Sequence, residues 1–495
     1  MTEFELKFEI PPANLKSVAV AVLEGKVTRQ RLQASYFDTA DGALAVHGIV
    51  VRMRKEGRRW VQTAKAPTAD LLERLEHNAA LSVGHASALP TLDLSRHCGT
   101  PVGKVIDLAL GHKTGDKYPK LDRLYGNDVQ RITRLVACGS SVVEVALDQG
   151  RVFADGHSQS ICELEIELKE GSPHDAVALA RQWCASHGLW MSTIAKSMKG
   201  QRLSSNAVVA TFTAVASPKF SRHSCGHEMV RVAVAACLGQ ILPNMSELAG
   251  GSHHPEHIHQ LRVGIRRLRT ALRELAGLTD AIDPAWETAL VKAFRSLGAY
   301  RDHSHLALVL QPQLLAAGGP DMEVGNINSN IPDPCEAVRA PAFQDALLGL
   351  VGFVHGDISE TSPQPDALKK VVSRRLEKLY RCALRDGKKF FSIDEAAQHG
   401  VRKRLKRLRY LIEFVAPLFG TRKVRRMTTA LKPVQDALGL YNDELMALHA
   451  WRTLAEDDAN AWFGIGWLTA RRQPNAARCL KEIKTFADIK LFWRG

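Results

Sequence analysis

The sequence predicts an α+β protein built as two domains in series. Three observations carry that expectation. Up to about residue 170 apolar and charged residues alternate with a period of two, from about residue 222 the apolar spacing becomes helical, and the helical part contains one unit twice. A chain of 495 residues is also too long for a single compact core. Strands first and helices afterwards, in separate blocks, imply separate domains.

The opening strand is EFELKFEI, residues 3–10. Glu3, Glu5, Lys7 and Glu9 alternate with Phe4, Leu6, Phe8 and Ile10, so every charge lies on one face. VVRMR (50–54), RWVQTAK (59–65), VVEVALD (142–148) and ICELEIELK (161–169) read as further strands. Turn signals stand at Asp41-Gly42, Glu56-Gly57, Gln149-Gly150 and Asp155-Gly156. A helix is expected near 174–187, and IAKS (194–197) is α-like. Residues 204–220 lack a helical period and read as a linker. Helices are expected near 224–249, 255–277, 284–310, 341–356, 365–386, 394–418, 422–456 and 474–488. GGPDMEVGNINSNIPDPC (318–335) reads as a long loop between two helical sets.

Nearly every strand carries a charged face, and the charges have both signs. Glu163, Glu165, Glu167 and Lys169 share one face, Arg52 and Arg54 another, Thr63 and Lys65 a third, Glu144 and Asp148 a fourth. A closed barrel with an ionic interior requires this pattern, because inward and outward residues alternate on every barrel strand. Buried charges are costly unless each is paired or meets a ligand. A triphosphate chelated to divalent cations satisfies both signs: Arg and Lys neutralise phosphate oxygens, and carboxylates hold Mg2+ or Mn2+.

The bulk numbers narrow the partners. With 66 basic and 52 acidic residues the formal net charge is +14, which points to a polyanion. Nine cysteines without a CxxC pair fit free thiols in a reducing cytoplasm. No apolar run of about 18 residues is evident, so no membrane span or membrane partner is expected. The N-terminus enters the first strand directly, so no secretory leader is expected.

Glu3-Phe4-Glu5-Leu6-Lys7 matches the ExExK signature of the CYTH domain, the triphosphate tunnel metalloenzymes. YFDTADGAL (36–44), VRMR (51–54), the lysine of WVQTAK (60–65), RLEHNAAL (74–81), VEVALDQG (143–150), ICELEIEL (161–168) and IAKS (194–197) follow in family order. Residues 1–203 thus resemble that family, and most of all its inorganic triphosphatase branch. The resemblance implies an antiparallel β-barrel tunnel with flanking helices. It implies Glu3, Glu5, Glu165 and Glu167 as metal ligands, with Asp148 as a supporting or second-metal carboxylate. Lys7, Arg52, Arg54, Lys65, Arg131 and Lys196 would grip phosphates, and Glu5, Lys7, Lys65 and Lys196 would form the catalytic set. Glu76 and Glu144 share faces with these residues and read equally well as structural pair-makers.

In the helical half, HQLRVGIRRLRTALREL (259–275) overlays HGVRKRLKRLRYLIEFV (399–415) at an offset of 140. His259, Arg262, Arg266 and Arg269 fall on His399, Arg402, Lys406 and Arg409; the spacing i, i+3, i+7, i+10 puts each set on one helical stripe. Farther on, Leu297–Asp302 meets Leu438–Asp443 at an offset of 141. A stripe of like charges repels itself and is easier to understand if a polyanion neutralises it. HxxRVxxRRLR and LGxxRD resemble the CHAD domain, the conserved-histidine α-helical domain. That resemblance implies a pair of pseudo-twofold-related four-helix bundles, repeat 1 over about 221–317 and repeat 2 over about 336–495, within a domain of 221–495. It implies a channel for long-chain inorganic polyphosphate lined by the eight stripe residues with Arg273 and Arg301. Asn442 stands where the first copy has Arg301. The cluster HHPEHIH (253–259) lacks a completing carboxylate at helical spacing and is read as the stripe's head rather than a zinc site.

The expected function is therefore metal-dependent hydrolysis of inorganic triphosphate in the barrel, with polyphosphate held by the helical domain. A non-catalytic polyanion binder, and a tunnel enzyme acting on an organic triphosphate (a thiamine triphosphatase or adenylate cyclase), are the alternatives. Nucleic acid is disfavoured, since the basic stripes carry few aromatics on which bases could stack.

Overall fold

The computed structural model describes residues 2–494 apart from 58, 82–88, 114, 206–210, 222, 323–332 and 357–364. Parts of the expected linker and of the expected loop 318–335 therefore lie outside the described residues. The chain groups into two compact units. One comprises Met1–Thr213, Leu242–His257 and Val338–Gly356; the other comprises Ala214–Ile241, Ile258–Ala337 and Asp357–Gly495. The units do not follow a single division along the chain, because two helical segments from the second half join the first unit.

The first unit is built on strands β1 (Thr2–Glu9), β2 (Val27–Asp38), β3 (Val50–Glu56), β4 (Arg59–Pro67), β5 (Glu73–Leu81), β6 (Asp122–Cys138), β7 (Ser141–Ala154), β8 (His157–Glu170) and β9 (Trp190–Met191). Their order is β5-β4-β3-β2-β6-β7-β8-β1-β9, and β1 also pairs with β5, so β1 to β8 close into an antiparallel barrel. Closure rests on Thr2↔Leu75, Glu3↔Arg74 and Phe4↔Glu73. The alternation of β1 is obeyed: Phe4, Leu6, Phe8 and Ile10 are buried on the outer side. Helices α1 (Leu15–Val22), α2 (Ala43–Val46), α3 (Pro101–Leu110) and α4 (Pro173–His187) flank the barrel, and α5 (Lys196–Ser204) follows β9. Val102 and Ile106 of α3 pack with Val51, Ala64 and Ala66 of the wall, one of the apolar clusters that coat it.

Two sequence expectations need correction here. Gln149-Gly150 is not a turn. It lies inside the 14-residue strand β7, where a Cβ on Gly150 would come within 2.1 Å of the Asp128 carbonyl oxygen. Glycine is there so that two backbones can approach. The turn falls at Asp155 and Gly156, both at positive φ (47° and 81°), the two-residue connection that suits strand twist. The 17-residue strand β6 was also not anticipated, because its polar residues spread over both faces.

Helices continue as α6 (Gly226–Ala249), α7 (Pro255–Glu274), α8 (Ala285–His305), α9 (Gln311–Ala316), α10 (Pro334–Arg339), α11 (Pro341–His355), α12 (Pro365–Gly387), α13 (Glu395–Val415), α14 (Thr421–Leu454) and α15 (Ala461–Ala487). Moving α6 and α7 by 140 residues brings them onto α12 and α13, and α8 onto the middle of α14. Helices α12 to α15 pack in the pairs α12–α13, α13–α14, α14–α15 and α12–α15, a closed four-helix arrangement. The last helix begins well before the predicted 474, because Pro474 sits inside α15 rather than starting it. Helix α6 bears on the membrane reading. It is long and apolar enough to cross a bilayer by length and composition, but 72% of its most apolar stretch is buried inside the protein.

The Gly150 contact gives a first prediction. Gly150→Ala should lower unfolding stability by about 1–3 kcal/mol through overpacking against β6. Urea unfolding followed by circular dichroism measures it, and an unchanged midpoint would show that the two strands can move apart freely.

Candidate functional site

The barrel encloses a cavity of about 760 Å3. Strand register decides what lines it, because residues paired across strands share a face. On one level Glu5 of β1 stands opposite Glu167 of β8, which stands opposite Glu144 of β7. On the next, Lys7 faces Glu165. Beyond that Glu163 is opposite both Glu9 and Asp148, and Asp148 is opposite Arg131. Across the bore, Tyr36, Arg52 and Thr63 form one row of β2, β3 and β4, while Lys65 pairs with Glu76 of β5.

One part of the bore is fully paired. Arg131 donates two hydrogen bonds to Asp148, at 2.7 and 2.6 Å, and reaches Glu165 as well. Lys196, the first residue of α5, pairs with Asp148 at 2.7 Å, with Glu165 at 2.5 Å and with Glu163. Although burial opposes it, Arg131 and Lys196 hold the Glu165 carboxylate well below the usual range. The oxygens of Asp148, Glu163 and Glu165 all lie within 4.8 Å of one another, with the Lys196 ammonium bound to each residue. Lys199, one helical turn on, bonds Glu9 at 2.8 Å and Glu163 at 3.4 Å.

Elsewhere the charges are under-compensated. The Glu5 side chain makes no hydrogen bond or ion pair among the described residues, and burial together with the Glu165 charge raises its pKa. Two carboxylates directly opposite, Glu5 and Glu167, repel unless a cation lies between them. Burial lowers the pKa of Lys7, whose Nζ lacks a hydrogen-bond acceptor and whose nearest carboxylate, Glu163, is 3.9 Å away. The Nε of Arg52 is likewise buried without an acceptor. Lys65 bridges Glu3 at 2.6 Å and Glu76 at 2.7 Å, and burial with the Glu76 hydrogen bond pushes the Glu3 carboxyl up to about 8.

All the expected tunnel residues line this one cavity: Glu3, Glu5, Lys7, Arg52, Arg54, Lys65, Arg131, Asp148, Glu165, Glu167 and Lys196. They are engaged differently, however. Arg54 is turned to Glu56 at 2.6 Å, Glu167 is paired with Lys169 at 2.7 Å, and Glu3, Glu5 and Glu167 do not join the tight carboxylate cluster among the described residues. Sequence reading placed Glu163 on the charged strand face without giving it a site role, and passed over Lys199. Parity puts Glu163 on the inward face, and the i, i+3 step from Lys196 points to Lys199. The donor set is all oxygen and includes a partnerless enclosed carboxylate, so the residues fit a hard divalent cation.

The helical unit carries a second cationic site. Apolar positions of α7 and α13 are buried, among them Leu261, Ile265, Leu268, Val401, Leu405 and Leu408, which leaves the two basic stripes on neighbouring faces. Arg262, Arg266 and Arg269 lie over the ring of Phe294 in α8, with Arg262 at 4.2 Å, a contact the sequence did not reveal. Arg269 and Arg273 share Glu287. Arg301 and Arg402 approach Asp443 at 3.4 and 3.9 Å, which brings the two repeats together. Asn442 accepts from the His399 ring at 2.6 Å, so it supports the second stripe where the first copy has Arg301. Arg409 pairs with Glu413 at 3.1 Å, and His259 is exposed at the head of its stripe. Burial and the charges of Arg266 and Arg402 bring Lys406 down to about 6, against the opposing pull of Asp443. Arg262 is drawn down to about 10 by burial and by Arg266, Arg301 and Arg402, with Asp302 opposing. Cations of both repeats thus press on one another around the carboxylates of Asp302 and Asp443.

Comparison with known proteins agrees with this division of sites. The family model described as CYTH domain matches residues 1–200, and the one described as CHAD domain matches residues 232–452. An inorganic triphosphatase of Haemophilus influenzae is 27% identical over 176 residues, 34% of this chain and 45% of its own length. The chain thus spans less than half of that relative. The CHAD domain of the plant Ricinus communis is similar with a TM-score of 0.46 and 22% identity, over 57% of this chain and 98% of that one. A Hippeastrum adenylyl cyclase described as having a dominant triphosphatase activity gives 0.30 and 17%, over 42% and 97%. The chain thus carries a CYTH domain at residues 1–200 and a CHAD domain at residues 232–452.

Proposed function

We propose that the barrel hydrolyses inorganic triphosphate to diphosphate and phosphate with Mg2+ or Mn2+, and that the helical domain binds long-chain inorganic polyphosphate. On this reading residues 1–203 are the catalytic domain, 204–220 the linker and 221–495 the polyphosphate domain. One observation carries the catalytic part: a partnerless Glu5 carboxylate is enclosed in the same bore as Lys7 Nζ and Arg52 Nε, both buried without a hydrogen-bond acceptor. Under-compensated buried charges of both signs are expensive, and a metal–triphosphate complex would supply further partners to each.

The division of labour follows from position. Glu3, Glu5, Glu165 and Glu167 would hold the cation, with Asp148 behind Glu165. When bound, it would neutralise phosphate oxygens and lower the pKa of a bound water. Lys7, Arg52, Arg54 and Lys65 grip the phosphate chain and orient it. Lys196 and Arg131 keep Asp148 and Glu165 ionised, and donate to phosphate if one reaches them. The reaction adds a water oxygen to the terminal phosphorus, breaks its anhydride P–O bond and releases diphosphate. The Haemophilus relative's name supports this reaction class. Nine unpaired cysteines fit a reducing compartment, and we place the protein in the cytoplasm.

In the helical domain, Arg262, Arg266, Arg269, Arg273, Arg301, His259, His399, Arg402, Lys406 and Arg409 would hold polyphosphate. Mutual repulsion among buried cations, with Asp443 as a partial counter-charge, supports a polyanion as the missing partner.

Two tests address these sites separately. Glu5→Gln should lower metal-dependent phosphate release from triphosphate by about 100-fold or more. It should leave the melting temperature unchanged or raise it, because it removes a charge opposed by Glu165 and Glu167. Phosphate release measured against triphosphate, ATP, thiamine triphosphate and long polyphosphate reads both rate and substrate; full activity in the variant would end the metal assignment. The second test concerns Lys406. With a free-state pKa of about 6 it is mostly neutral at pH 7.5 and must take up a proton when a polyanion restores its charge. Polyphosphate affinity should therefore fall as pH rises above 6, by up to about tenfold per unit. Calorimetry in two buffers of different ionisation heat should show proton uptake at pH 7.5, lost in Lys406→Arg. Proton release in the unaltered chain would contradict it.

A further inference from the structure

Lys196 stands at the centre of the paired region of the bore, yet the segment that delivers it is poorly held by its own sheet. Strand β9 is two residues long, and Lys196 follows it by five positions. The barrel supplies the pairs Phe8↔Met191 and Glu9↔Trp190 and a bond from Ser192 N–H to the Lys7 carbonyl at 2.8 Å. Met191, Ser192, Thr193 and Ala195 all line the same cavity as Lys196.

The remaining bonds to this segment come from far along the sequence, within the same compact unit. The Met191 N–H donates to Gln344 Oε1 of α11 at 2.8 Å, and Gln344 is only 1% exposed. Gln344 is itself fixed, since its Nε2 donates to the Val338 carbonyl at 2.6 Å. The Thr193 N–H donates to Ser246 Oγ of α6 at 2.9 Å, with the Thr193 hydroxyl 3.2 Å from the same oxygen. The Ser246 hydroxyl donates to the Leu242 carbonyl at 2.7 Å, so its one proton and both lone pairs are committed. Two flanking contacts hold the same region. Arg202, at the far end of α5, pairs with Glu247 at 2.5 Å, and Arg339 stacks over Trp190 at 4.2 Å while donating to the Ala249 carbonyl at 2.9 Å. Lys196 falls inside the CYTH match, and Gln344 and Ser246 fall inside the CHAD match.

We propose that Gln344 and Ser246 are positioning residues for Lys196, so that helices of the CHAD sequence complete the triphosphate site of the CYTH barrel. The inference rests on the triphosphatase reading above and names residues that act on that site without touching substrate. Both side chains accept from backbone N–H groups of a segment that a two-residue strand cannot register by itself. Losing the Gln344 acceptor leaves a buried N–H unsatisfied, losing that of Ser246 a part-buried one, and either loss frees the segment to shift. Displacement of a catalytic group by about 1 Å can cost up to about 100-fold in rate.

A double-mutant cycle in the full chain tests it. Gln344→Ala and Ser246→Ala should each lower kcat/KM for inorganic triphosphate with Mg2+ by about tenfold. In a Lys196→Ala background the same changes should alter it by less than about twofold, because the group they position is gone. Ser246→Thr, which keeps the hydroxyl, should recover much of the loss. Equal losses in both backgrounds would reduce the two residues to general stability and overturn the proposal, as would full activity in both single variants. If Gln344→Ala does not fold, Ser246→Ala, which removes one oxygen, decides alone. Calorimetric binding of inorganic triphosphate to the same proteins separates the two claims. Absent turnover in the unaltered chain defeats the triphosphatase reading, while a binding loss confined to the Lys196-containing background still supports positioning. No binding by the unaltered chain would overturn both.

Discussion

Pairing of β1 with β5 turns an amphipathic sheet into a closed bore, and the rest of the first unit follows from it. In an open sheet, Glu3, Glu5, Lys7 and Glu9 would face water, where ion pairs contribute little. Three residues of register, Thr2↔Leu75, Glu3↔Arg74 and Phe4↔Glu73, bring the first strand round to the fifth and enclose that face. Enclosure raises the stakes for every charge, since each must find a partner or push its pKa. The bore does both. Asp148, Glu163, Glu165, Arg131 and Lys196 satisfy one another, whereas Glu5, Lys7 and Arg52 are left short. The contrast sets a mutually paired cluster beside charges that still lack full compensation within the same bore.

How much of this could be read beforehand depends on whether the information is local. Parity along β1, β3, β4 and β8 is local, so the inward charges were legible residue by residue. Partnering is not, because it depends on which strands become neighbours and in what register. The pairing of Lys65 with Glu3 exists only after closure, and that of Lys196 with three carboxylates only once α5 lies against β7 and β8. Gly150 and Pro474 show the same limit from another side. Each is a local signal for a break, and each is overridden by packing: the glycine admits a neighbouring backbone, and the proline is carried within a long helix. Strand β6 escaped notice because its polar residues are spread over both faces, and only the ladders with β2 and β7 define it.

The helical unit uses the same electrostatic device without a barrel. Its stripes were legible because helical spacing is local, and the repeat made them conspicuous. Their convergence was not legible. Arg301 and Arg402, from different repeats, meet at Asp443, and Phe294 lies beneath three arginines of α7. The aromatic ring lies beneath the guanidinium groups without neutralising them, although Arg269 also pairs with Glu287. In the bore, by contrast, opposed charges alternate and a ligand must carry both signs. On the function proposed above, a bare polyanion matches the first arrangement and a metal-chelated one the second.

Under-compensated charges survive in a folded chain only if other interactions offset them. The opening strand shows how. Its outward face places Phe4, Leu6, Phe8 and Ile10 in an apolar layer, each at most 6% exposed, while the same eight residues present Glu5 and Lys7 to the bore. Because strand side chains alternate strictly, the apolar face and the charged face cannot slip relative to each other. A one-residue register shift that relieved Glu5 of its opposition to Glu167 would move four buried apolar side chains into the cavity. Hydrophobic burial on one side therefore holds the repelling carboxylates in place on the other, and the strain at the site is a consequence of the pleat itself.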